Sequence, residues 1–120
     1  ADGIFLQTGF AARPLTWAEL ELDHTSGQQV APMSDALMFF ARLTHLRGGD
    51  RVQITLKGPE GFAAVLPGEA VDRDKAIYIA QVGKRRRGAA PWPTGVYQGE
   101  ALLIRDGAAV RKARGTFTMP

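Results

Sequence analysis

The 120 residues include no cysteine, which excludes a disulfide framework, a cysteine-ligated zinc site and thiol catalysis. This length suffices for one domain, 1–120, burying roughly two-thirds of its unfolded surface, and no apolar run nears the ~18–20 residues that span a bilayer. A net charge of +3 with a pI near 9.7 tilts the expected partners toward anions. The start, ADGIFLQTGF, has neither the basic n-region nor the apolar h-region of a signal peptide. With Ala1 in place of an initiator methionine, the chain reads as either a processed mature protein or a piece of a longer one, and the piece is favoured.

Residues 4–10 (IFLQTGF) predict a first strand, stopped by Arg13-Pro14. Residues 16–22 (TWAELEL) fit both periods, and the alternation of Ala18, Leu20 and Leu22 with Trp17, Glu19 and Glu21 favours a strand. The polar stretch 23–29 is expected to be a loop. Residues 35–46 (DALMFFARLTHL) are read as a central strand, with Leu37, Phe39, Ala41 and Leu43 facing one way and Met38, Phe40 and Arg42 the other. A helix capped by Ser34 or Asp35 is the competing reading. The sequel favours the strand. Arg47-Gly48-Gly49-Asp50 is a turn, and residues 51–57 then alternate cleanly, with Val52, Ile54 and Leu56 inward.

Gly58-Pro59-Glu60-Gly61 predicts a tight turn with proline where φ near −65° is wanted. Residues 62–66 return as a short strand broken by Pro67-Gly68, and residues 76–82 (AIYIAQV) are strand-like and apolar on both faces. Gly83 is read as opening a basic loop, KRRRGAAPWP. Pro91 and Pro93 hold Trp92 in extended chain, and Gly95 allows a bend into a strand over 96–105. Asp106-Gly107 is the signature of a two-residue hairpin. The return strand shows Ala113, Gly115, Phe117 and Met119 on one face and Arg114, Thr116 and Thr118 on the other. Turn signals spaced in this way predict an all-β fold, an immunoglobulin-like antiparallel β-sandwich of about seven strands.

No catalytic motif stands out. His24 and His45, with Asp23, Asp35 and Asp50 near them in sequence, lack a second ligand at the spacings of a zinc site. Neither Ser26 nor Ser34 lies in a nucleophile elbow, and Glu19, Glu21 and Asp23 read as a solvated strand face rather than a glycosidase pair. No cofactor and no metal is expected. The most distinctive polar feature is the run Lys84, Arg85, Arg86 and Arg87 followed by Trp92. Functionally it would be an anion grip, with the Trp92 indole, joined by Tyr97, as a surface for apolar or ring contacts. Structurally it would be a solvated loop with Trp92 tucked under the end of the sandwich. A single aromatic argues against nucleic acid, whose single-stranded binders interleave several. Residues 62–66 also offer an edge strand to a partner.

The order GDRVQITLKGPEG, GKRRR, PWPTGVYQGEA, RDG and a closing strand resembles the non-catalytic β-sandwich domain appended to lysostaphin-type (LytM-like) zinc peptidases of the bacterial envelope. The resemblance covers roughly residues 36–119 and, more faintly, the start at 2–10. The peptidase motif of that family, His-x3-Asp with a later His-x-His, is missing: His24 is followed by Gln28 at the fourth position. The resemblance therefore implies a non-enzymatic accessory or interaction domain of a periplasmic or cell-envelope peptidoglycan metallopeptidase, positioning or regulating the hydrolase or docking to an envelope protein or cell-wall polymer. The competing expectation is a stand-alone module binding an anionic polymer through residues 84–92.

Overall fold

The computed structural model describes residues 3–16, 18 and 29–120. The expected strand over 16–22, apart from Thr16 and Ala18, and the loop over 23–29, apart from Gln29, lie outside the described residues, as does His24. Seven strands are present among the described residues: β1 (Ile4–Ala11), β2 (Ala36–Leu46), β3 (Arg51–Lys57), β4 (Ala63–Leu66), β5 (Lys75–Arg85), β6 (Gly95–Arg105) and β7 (Ala108–Met119). They form two antiparallel sheets, ordered β1-β2-β5 and β4-β3-β6-β7. The chain is thus an immunoglobulin-like β-sandwich in which the short fourth strand pairs with the third, in the four-stranded sheet.

Alternation builds the core between the sheets. Leu37, Phe39, Ala41 and Leu43 of β2 meet Val52, Ile54 and Leu56 of β3 and Tyr97, Ala101 and Leu103 of β6. The other face of β2 is apolar as well. Met38 and Phe40 form a second small cluster with Ala11 and Leu15. Leu15 is strapped there by Gln81, whose amide accepts from the Leu15 N–H and donates to its carbonyl, both at 3.0 Å. This two-sided burial explains why residues 35–46 lack the clean alternation of β3.

The hairpin at Asp106-Gly107 has φ of 52° and 78°, the positive pair that a type I′ turn demands. The Gly58–Gly61 turn becomes a short 3-10 turn over Pro59–Gly61, closed by the Phe62 N–H on the Pro59 carbonyl at 3.1 Å. Phe62 belongs to that turn, so β4 starts one residue later than expected. The larger correction is Gly83. It does not open a loop: β5 runs through Gly83 and Lys84 to Arg85, paired with Met38, Leu37 and Ala36. A side chain at Gly83 would overlap the Leu37 carbonyl and Met38, so this glycine marks close packing inside a strand.

One buried charge ties the sandwich together. Asp50, 1% exposed, sits in the turn linking β2 to β3, where its Oδ2 accepts the Arg47 N–H at 2.8 Å. Arg105, at the end of β6, clamps both oxygens, Nε to Oδ1 at 2.9 Å and an η nitrogen to Oδ2 at 2.8 Å. The Arg105 hydrogen bond holds the Asp50 carboxyl below its ordinary value, against the opposing effect of burial. No helix among the described residues is long and apolar enough to cross a membrane.

Candidate functional site

The basic end of the sandwich is assembled from the last residues of β5 and the segment leading into β6. A β-turn at 31–34, with the Ser34 N–H on the Ala31 carbonyl at 3.0 Å and the Ala31 N–H on Ser34 Oγ at 2.7 Å, backs it. Carbonyls from this stretch then serve as acceptors. Pro32 O takes the Trp92 N–H at 2.8 Å, and Asp35 O takes the Arg86 N–H at 2.7 Å. Ser34 O accepts twice, from the Trp92 indole N–H at 2.8 Å and from Arg86 Nε at 3.2 Å.

The structure separates the five sequence-predicted residues into two roles. Trp92 is 8% exposed and belongs to the core, edge-on to Phe62 with ring centres 5.7 Å apart. With its indole N–H spent on Ser34, its ring closes the end of the sandwich. Arg86 is half-buried and locks the loop, its η nitrogen reaching the Gly88 carbonyl at 2.8 Å. Lys84, Arg85 and Arg87 are exposed. Lys84 and Arg85 lie in β5 rather than in a loop, so their positions are fixed by pairing with β2. Lys84 Nζ stands 5.4 Å from the centre of the Phe62 ring, a cation–π contact that orients it. Together with Gly83 and Trp92 these residues line a depression of about 900 Å³, with no carboxylate among the described residues that line it. No ion pair joins any of the four cations to an acid among the described residues.

The motif PWPTGVYQGE is explained by packing at the same end. Tyr97, 0% exposed, donates its hydroxyl to the Pro93 carbonyl at 2.7 Å. This is a tyrosine corner, as at the start of the sixth strand of immunoglobulin sandwiches. Burial raises the Tyr97 phenol above its ordinary value, so it stays a neutral donor. Gly58 vacates the space that the Tyr97 ring fills, and Gly99 the space for Phe39; a Cβ at either would overlap the ring.

Elsewhere, His45 is exposed at the end of β2, with Nδ1 2.9 Å from Thr44 Oγ1. No group of three metal-ligating side chains occurs among the described residues. The edge strand β4 presents Val65 and Leu66, 58% and 45% exposed. The pairing of Asp50 with Arg105 went unread in the sequence. It follows from register alone: Arg51, which follows Asp50, pairs with Ile104, which precedes Arg105. Comparison with protein-family models, with curated proteins and with solved structures finds no match for this chain.

Proposed function

We propose that this domain is a non-enzymatic interaction module, an accessory domain of a bacterial cell-envelope peptidoglycan metallopeptidase that docks an anionic envelope partner through its basic end. The observation that carries the docking role is the set of three exposed cations, Lys84, Arg85 and Arg87, without acidic partners among the described residues and held around one depression. Four adjacent cations repel one another. A fold that fixes two of them in a strand and ties a third to carbonyl groups has paid for preorganisation, which an anionic ligand recovers on binding. The envelope setting rests on the resemblance of the 36–119 region to the domains appended to LytM-like peptidases. The buried ring, the tyrosine corner and the two glycine contacts account for most of that motif as packing, so the resemblance supports the fold more directly than the partner.

The second reading, a stand-alone binder of anionic polymer including nucleic acid, is favoured by the same unpaired cations. The ligand separates the two, because contacts made by the same three cations weaken with salt on either partner. If three cations met phosphates of a single strand, affinity would fall by about 20-fold between ~50 mM and ~200 mM salt. The test measures retention on purified peptidoglycan sacculi and on a single-stranded oligonucleotide across that salt range. Retention on sacculi at the lower salt, without binding of the oligonucleotide, supports the envelope role. Tight oligonucleotide binding without retention on sacculi would assign the domain to the second reading.

A further inference from the structure

The outward face of the four-stranded sheet carries a second concentration of positive charge, remote in sequence from residues 84–87. Register places Arg51 and Lys57 of β3 and Lys112 and Arg114 of β7 on this face, with Glu100 of β6 as the one carboxylate among the outward residues of these three strands. This net excess and the four cations of the basic end together exceed the +3 of the whole chain. The rest of the molecule is therefore acidic on balance, and these two surfaces carry the chain's positive excess.

Within this face lies a cleft of about 350 Å³. Its floor is the backbone of the cross-strand pair Gly99 and Gly115. From the core side, the Phe39 ring occupies the space where a Gly99 side chain would stand. One wall is the row Lys57, Gln98 and Thr116, and the other is the row Thr55, Glu100 and Arg114. Arg114 Nε is spent on Glu100 Oε2 at 2.8 Å, which leaves the two η nitrogens for a further acceptor.

We infer that this cleft is a docking site for an acidic peptide segment in extended conformation. Three features select that occupant. The outward positions are Thr, Lys, Gln, Glu, Arg and aliphatic residues, with no aromatic ring to stack on a sugar or a base. Lys112 and Arg114 are two residues apart on one strand, about 7 Å, which is also the spacing of same-side residues in an extended peptide. The lining offers two cations, an amide and two hydroxyls, donors suited to carboxylates and to a peptide backbone. The inference is independent of the basic end, so either can fail alone.

The test titrates the 120-residue chain, labelled with nitrogen-15, with a synthetic oligoglutamate peptide and, separately, with an oligogalacturonate of equal charge. The peptide is expected to shift the amides of Thr55, Gln98, Gly99, Gly115 and Thr116. Lys57→Glu, at an exposed position, should weaken it about tenfold, equivalent to ~1.4 kcal/mol. Glu100→Gln should tighten it several-fold, because it releases Arg114 and removes the opposing charge. Lys84→Ala/Arg85→Ala/Arg87→Ala should leave it within about twofold. The inference is overturned if the shifts map to residues 83–87, if the oligogalacturonate binds this cleft and the peptide does not, or if Lys57→Glu and Glu100→Gln both leave affinity unchanged. Absence of peptide binding overturns it as well.

Discussion

Tyr97→Phe removes a single oxygen and leaves the buried ring in place. That oxygen donates to the Pro93 carbonyl at 2.7 Å, while the ring keeps its edge-on contact with Phe62, centres 5.4 Å apart. A hydrogen bond of this kind contributes about 0.5–1.5 kcal/mol net, and an orphaned carbonyl adds to the loss. Pro93 is half-buried, so water can reach its carbonyl and limits the second term. The expected destabilisation is about 1–2 kcal/mol, which for a domain of this length lowers Tm by about 4–8 °C. Urea unfolding followed by circular dichroism should show an earlier midpoint with an unchanged m value. Hydrogen exchange at the Trp92 amide, bonded to Pro32 O, should quicken as the segment into β6 loosens. A variant with the Tm of the wild type and unchanged exchange at Trp92 would refute the assignment of this bond as the anchor of that segment.

Gly99→Ala pushes a Cβ into the Phe39 ring and is expected to cost about 1–3 kcal/mol; partial rescue by Phe39→Leu in the double variant would locate the clash. Asp50→Asn should be less stable than the wild type at neutral pH. The Asp50 carboxyl is held below its ordinary value, chiefly by Arg105, so its stabilisation is present above the unfolded value of about 3.9 and is lost as pH falls through the lower folded value. Thermal melts should therefore show the two proteins converging below about pH 4; curves that stay parallel would deny the linkage. Arg86→Ala should lower Tm by more than Arg87→Ala, since Arg86 bonds to two carbonyls through its side chain, and equal melts would remove its structural role.

How much the sequence disclosed depended on whether a residue's constraint was local. The Asp106-Gly107 turn, the alternation of 51–57 and the split faces of β7 all follow from one stretch of chain, and each is realised. Gly83 and Phe62 depart from expectation because their surroundings decide them. A glycine followed by four cations has the composition of a loop, yet its small size serves the close approach of Met38 from another strand. The candidate site divides in the same way. Exposure of Lys84, Arg85 and Arg87 follows from their charge, whereas the burial of Trp92 depends on acceptors at Pro32 and Ser34, roughly sixty residues earlier. The cationic sheet face is not legible in the sequence, because its members are scattered from Arg51 to Arg114 and meet only through register.

The most direct test of the docking role compares wild type with Lys84→Ala/Arg85→Ala/Arg87→Ala for retention on purified peptidoglycan sacculi and capture of partners from envelope extract. Arg86 is left in place because it holds the loop, and the variant's melt establishes that it is folded. Retention or specific capture by the wild type, lost in the variant, is the predicted result. Equal behaviour of the two proteins, bound or unbound, would contradict a docking role for the basic end.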